Sequence, residues 1–310
     1  MDSHLVVFDG DDTLWWTEQL YDDARIAAGR IVAASGLDAQ RWDGIERELD
    51  VENVRRFGLA RERFPTSCVE AYDRVAVLSG AQIDPCVRSA IWDAADAVFT
   101  SAAPVVDGAE RVVLDVSEMA RVVLLTKGDQ SVQRHRLKTS GLEPLFDFVV
   151  IVPAKSSEEF RSVLRTFSVK PQNAWSVGNS WRSDVEPALA AGMRAIWIEA
   201  HVWEYERHAI SPEEHEAVSV AGSLQEVPEI IRTRIARPDL PALRPSGYRA
   251  AVDGLGSRTS VRDMGGQMAT SKKDASKAGK LLGNPKTSKT VKSVAGSDLA
   301  QAKGKRKGKS

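Results

Sequence analysis

The 310-residue sequence predicts an α/β fold: a doubly wound parallel sheet with an inserted helical cap and a disordered C-terminal tail. Three observations carry that prediction. Five short apolar runs rich in β-branched residues alternate with helix-like stretches. More than 110 residues separate the first two runs. Beyond Arg237 the chain turns to Gly, Ser, Lys and Ala, with few large apolar residues.

The strand candidates are His4–Asp9, Arg121–Thr126, Phe146–Val152, Ala174–Gly178 and Arg194–Glu199. Between the later ones lie helical patterns at Gln130–Ser140, Ser156–Phe167 and Asp184–Ala191. Strands alternating with helices of this length form βαβ units and hence a Rossmann-like core. The long gap after the first strand holds helical spacing over Thr17–Ser35, Gln40–Phe57, Pro65–Ser79 and Asp84–Ser101. It reads as a helical cap, with Pro104–Gly108 as the return hinge and Gly222–Arg237 as a last core helix. The expected division is residues 1–15 and 103–237 for the core, 16–102 for the cap and 238–310 for the tail.

Charge divides along the same line. Residues 241–310 carry 16 Lys+Arg against 4 Asp, and the remaining 240 carry 26 basic and 39 acidic residues, so a net charge of -1 conceals an acidic body and a basic tail. Such a tail suits weak, sequence-independent nucleic-acid contact, since Tyr248 is its only aromatic residue for stacking. Two cysteines, Cys68 and Cys86, provide no disulfide framework and suit a reducing compartment. The opening MDSHLVVFDGDDTLW resembles neither a secretory signal nor a membrane span, and a cytoplasmic location is expected.

In an open parallel sheet, ligands bind beyond the carboxyl ends of the strands. Strand one ends in Asp9-Gly10-Asp11-Asp12-Thr13, and strand two in Thr126-Lys127-Gly128-Asp129. Lys155 follows strand three; Gly178-Asn179-Ser180 and Asp184 follow strand four. Carboxylates, a hydroxyl and an ammonium gathered at four strand ends describe a site for phosphate and a hard cation.

These four motifs, in this order, resemble the haloacid dehalogenase superfamily, whose pattern is DxDxT, a Ser or Thr, a Lys and an acidic loop. The likeness covers residues 4–199, and FDGDDTLWWTE is similar to phosphatase-like members with a helical cap placed directly after the first motif. The resemblance implies a phosphatase acting on a small phosphorylated metabolite through an aspartyl-phosphate, with Mg2+ as cofactor. Asp9 is then the nucleophile, and Asp11 the acid that protonates the leaving alcohol and later deprotonates water. Thr126, with the backbone amides of Gly10 and Lys127, would bind phosphoryl oxygens, and Lys155 would neutralise them and keep Asp9 ionised. Asp9, the Asp11 carbonyl and Asp184 would hold the metal. The fourth motif departs from the family's usual Gly-Asp: Asn179 supplies an oxygen without charge, and its expected part is to orient a metal-bound water.

Each residue also has a structural reading. Asp12 caps the following segment or faces solvent. Thr126 is a turn residue and Asp184 a helix-start acid. Lys155 precedes a helix capped by Ser156, while Lys127 and Lys138 compete with it for the third motif. Trp15 and Trp16 either gate the site or pack in the core. Arg61, Arg63 and Thr66, in the cap, are candidate specificity residues or members of a solvated loop. Two other functions compete. A dehalogenase is disfavoured by Asp11, because a departing halide needs no acid. A nucleic-acid-associated protein would use the folded body only to carry its tail.

Overall fold

A computed structural model of the chain describes residues 3–199 and 218–243. Six parallel strands form one sheet in the order β3-β2-β1-β4-β5-β6. They are β1 Leu5–Phe8, β2 Arg121–Lys127, β3 Phe148–Val152, β4 Ala174–Gly178, β5 Arg194–Ile198 and β6 Ser219–Ala221. β1 lies between β2 and β4, with Leu5 opposite Arg121 on one side and Ala174 on the other. All four of its residues are buried, as expected of a parallel strand covered on both faces.

Alternate side chains on β1 point to opposite faces, which creates two separate cores. Val6 and Phe8 join Val112, Val113 and Val116 of helix α6 (Ala109–Ser117) and Ile230 and Ile231 of helix α10 (Val227–Ala236). Leu5 and Val7 instead join Phe160, Val163 and Leu164 of helix α8 (Ser157–Phe167) and Ala188 of helix α9 (Glu186–Ala190). Helix α7 (Gln130–Ser140) follows β2.

Five helices fill the stretch between β1 and α6: α1 Glu18–Ala34, α2 Ala39–Glu52, α3 Val54–Phe57, α4 Arg63–Leu78 and α5 Pro85–Asp96. They surround a further core that includes Ala28, Trp42, Phe64, Tyr72, Val75 and Ile91. Their starts follow from the sequence. The Asp38 carboxylate accepts from the Gln40 and Arg41 amides, and Asp84 accepts from the Cys86 amide with Pro85 in the first turn. The chain leaves and returns along one paired crossing: the Trp16 amide donates to the Pro104 carbonyl (2.7 Å) and the Val106 amide to the Leu14 carbonyl (2.9 Å).

Three features differ from the sequence reading. α6 follows the hinge directly, beginning after Gly108, which has φ 75°. A sixth strand, three residues long, extends the sheet beside β5. The expected helix over 184–191 starts as a π-helical turn, Trp181–Val185, and only then becomes α9. Among the described residues no helix is long and apolar enough to cross a membrane. Of the expected tail, 238–310, residues beyond 243 lie outside the described ones.

Candidate active site

The turn after β1 is shaped by a tryptophan laid across a glycine. A Cβ on Gly10 would sit 2.4 Å from Trp15 Cζ2, so only glycine admits the fully buried indole there. Trp15 Nε1 in turn donates to Asp11 Oδ1 at 2.7 Å. Asp12 takes φ 58°, an unusual value for a residue with a side chain. Its carboxylate accepts from the Thr17 amide (2.8 Å), the Thr17 hydroxyl (2.7 Å) and the Glu18 amide (3.1 Å), and so caps α1.

Asp9 continues the sheet, its amide donating to the Val177 carbonyl at 2.9 Å. Lys155, between β3 and α8, sends its ammonium to Asp9 Oδ1 at 2.5 Å and to Asp184 Oδ1 at 2.6 Å. The neighbouring Ser156 still caps α8 in a capping box with Glu159, so the structural reading of this segment is met alongside the reach of Lys155. Asp184 is aimed by the π-helical turn. Its Oδ2 accepts from the Ser180 amide at 2.9 Å, and it passes so close over Gly178 that a Cβ there would lie 2.3 Å from the carboxylate.

Burial and the charge of Asp184 push the Asp9 carboxyl up to about 7 from its ordinary 3.8, against the opposing pull of Lys155. Burial works to discharge Lys155, but Asp184 and Asp9 outweigh it and hold the ammonium protonated. The cluster is two carboxylates around one cation.

The second carboxylate of the turn is held differently. Asp11 Oδ2 accepts from Gln133 Nε2 and from Arg136 Nη1, both at 2.8 Å and both on α7. Gln133 Oε1 also accepts from the buried Thr126 hydroxyl at 3.2 Å, tying the end of β2 to the same network. Lys127 Nζ donates to Ser183 Oγ at 2.6 Å, and Lys138 is exposed. Thr13 Oγ1 lies 3.3 Å from both Asp9 Oδ2 and Asn179 Oδ1.

Asp9, Asp11, Thr126, Lys127, Gln133, Arg136, Asn179, Ser183 and Asp184 line a cavity of about 140 Å³ that also takes in Tyr21 and Arg25 of α1, Asp50 of α2 and Arg63 of α4. On that wall Arg25 Nε meets Glu46 Oε2 at 2.8 Å and stacks over Phe64, while Arg63 pairs with Asp50.

The haloacid dehalogenase-like hydrolase family model matches residues 4–192, more than half of the chain. The chain belongs to this family. Over 83 residues it is 35% identical to phosphoserine phosphatase of Thermus thermophilus, covering 25% of this chain and 33% of that protein. Over 201 residues it is 28% identical to glyceraldehyde 3-phosphate phosphatase of Methanopyrus kandleri, covering 62% of this chain and 82% of that one. A solved haloacid dehalogenase-like family hydrolase from Xanthomonas campestris aligns with a TM-score of 0.62 at 27% identity, covering 76% of this chain and 97% of that one.

For a hydrolase of this family, the structure brings Asp9, Asp11, Thr126, Lys127, Asn179 and Asp184 to one cavity wall, with Lys155 bridging two of them. Arg63 lines the helical side, but Arg61, Thr66 and Trp15 are not part of the lining. Arg61 is engaged by Asp96, and Trp15 acts on Asp11 from within the core. Gln133 and Arg136 are site residues that the motifs do not announce. Their signal lay in α7, where both are buried between Val132 and Leu137, polar groups on an apolar stripe.

The donor set fits magnesium. Two carboxylates already converge on one cation, Lys155, and all the nearby ligands are hard oxygens. Among the described residues no cluster of three His, Cys, Asp or Glu is built to hold a metal. A magnesium ion would therefore depend on water, a backbone carbonyl and substrate oxygens for its remaining ligands.

Proposed function

We propose that the chain is a magnesium-dependent phosphatase that hydrolyses a small phosphorylated metabolite through an aspartyl-phosphate on Asp9. The observation that carries this reading is the pairing of two unlike carboxylates in one cavity. Asp9 is buried against Lys155 and Asp184, whereas Asp11 sits two residues on, held by Trp15, Gln133 and Arg136. A nucleophile and a separate proton carrier are what ester hydrolysis through a covalent intermediate requires.

In the first step a carboxylate oxygen of Asp9 bonds to phosphorus as the phosphorus–alcohol oxygen bond breaks, and Asp11 gives its proton to the departing alcohol. In the second step Asp11 takes a proton from water, the water oxygen bonds to phosphorus, and the Asp9–phosphorus bond breaks to release inorganic phosphate. Lys155 draws Asp9 toward its ionised form against burial and Asp184 and offsets the phosphoryl charge, and the Thr126 hydroxyl would exchange Gln133 for a phosphoryl oxygen. Asp9, Asp184, the Asp11 carbonyl and a water set by Asn179 would hold magnesium, which supplies charge stabilisation to the transferring group. Helices α1–α5 act as a cap domain whose movement admits substrate and excludes water. Halide displacement would leave Asp11 without a task, so the dehalogenase reading is the weaker one.

The test is phosphate release from a panel of metabolite esters, with and without magnesium, by wild type and Asp9→Asn. Turnover should need magnesium and vanish in the folded variant. Full activity after thorough chelation, or near-normal turnover by Asp9→Asn, would overturn the reading.

A further inference from the structure

Arg136 is held by Asp11 and lies against Tyr21. Its side chain is 3% exposed, and Nη1 donates to Asp11 Oδ2 at 2.8 Å. Its Nε and Nη2 are buried with no hydrogen-bond partner, although the residue lines the cavity. Burial opposes the charge on this guanidinium, but Asp11 and the adjoining Tyr21 outweigh it. A buried donor left unmade costs about 1–3 kcal/mol, more on a charged group, so two on one edge call for a ligand. Nε–H and Nη2–H lie side by side on the guanidinium plane, the geometry that takes two oxygens of one anion.

We propose that the Nε–Nη2 edge of Arg136 binds a carboxylate on the alcohol portion of the substrate, so that the preferred substrates are phosphate monoesters of small hydroxy acids. This rests on the phosphatase reading for the placement of the phosphate at Asp9. Because Arg136 holds Asp11 with Nη1, a carboxylate on its other edge sets the leaving oxygen close to Asp11. A carboxylate suits the wall better than a second phosphate: Asp11, Asp12, Glu18 and Asp50 already line it, and a monoanion adds half the repulsion of a dianion. The cavity of about 140 Å³ has room for an acid of a few carbons.

The experiment compares calorimetric binding of phosphonopropionate, propylphosphonate and ethylenediphosphonate to magnesium-loaded wild type, Arg136→Gln and Arg136→Lys. Wild type should bind phosphonopropionate about tenfold or more tightly than propylphosphonate, the scale of a charge-assisted hydrogen-bonded pair. Arg136→Gln should erase that ratio, and Arg136→Lys, with charge but no fork, should restore only part of it. Equal wild-type affinities for the first two would overturn the subsite without any variant being needed. Tightest binding of the diphosphonate would replace the carboxylate with a second phosphate. Turnover of phosphoglycolate and ethyl phosphate separates the two readings. A carboxylate-dependent affinity without turnover of any ester removes the phosphatase and keeps the subsite; turnover of both at one rate, with equal phosphonate affinities, does the reverse.

Discussion

Two buried charge clusters face each other across the cavity, and they are balanced differently. At the strand ends, Asp9 and Asp184 share the cation Lys155, a net charge of one negative once both carboxylates are ionised. On the helical wall, Arg25 and Arg63 answer Glu46 and Asp50 one for one. Burying charges is tolerable when they are paired and hydrogen-bonded. The helical cluster is paired charge for charge within the protein, although both Asp50 oxygens lack a hydrogen bond, so it can serve as a fixed wall. The strand-end cluster falls short by one positive charge, and a second cation would complete it. A deficit of charge, rather than burial alone, marks the reactive side.

Removing the cation from each cluster tests that contrast most strongly. Lys155→Met leaves two buried carboxylates facing each other and Arg25→Met leaves Glu46 and Asp50, so each should lose about 3–5 kcal/mol in chemical denaturation. Turnover should separate them: lost in the folded Lys155→Met protein, and reduced far less in Arg25→Met. Adding Asp9→Asn to Lys155→Met should recover stability without recovering activity. Comparable turnover losses for the two single variants would dissolve the distinction between reactive side and wall.

The pH response is a smaller effect. Asp9 stands at about 7 against an ordinary 3.8, and Glu46 at about 7 against 4.5, both chiefly through burial. A carboxyl raised on folding retains a proton that the unfolded chain has already released. Its stabilising contribution is therefore full below its ordinary value and lost as pH climbs through about 7. Denaturation of metal-free protein should show this decline, and Asp9→Asn and Glu46→Gln should each flatten part of it. Only Asp9 should govern activity, so the rise of kcat/KM with pH should keep its position in Glu46→Gln. Displacement of that limb by Glu46→Gln would show that the two clusters titrate together.

The smallest change concerns Trp15. Trp15→Phe removes one donor from Asp11 while keeping most of the packing, and should lower kcat by roughly fivefold, about 1 kcal/mol. An unchanged kcat would reduce Trp15 to a core residue.

The strands and their polar ends were legible because a buried parallel strand needs an uninterrupted apolar run, and its termination by Asp, Thr or Gly is local in sequence. The convergence of Asp9, Lys155 and Asp184 followed once the strands were ordered. β6 was not legible: three residues give no periodicity, and among the described strands it pairs with β5 alone. Thr66, which the sequence offered both as helix and as solvated loop, lies in the first turn of α4. The parts played by Arg136 and Gln133 depend on which face of α7 meets Asp11, which the linear order of residues does not state. Polar side chains on that helix's buried stripe were the available clue.

The sheet order has a consequence for how the molecule comes to exist. Among the strands of the sheet β1 is made first, yet its two neighbours begin at Arg121 and Ala174. Helices α1–α5 have a core of their own and can consolidate while that strand has no partner. Closing such distant contacts has an entropic cost that local helices escape. The residue assigned as nucleophile thus follows a strand made well before either of its sheet partners. Pulse-labelled amide exchange during refolding should show Val6 and Val7 protected after Val75; earlier protection of β1 would mean that the sheet organises the helices instead.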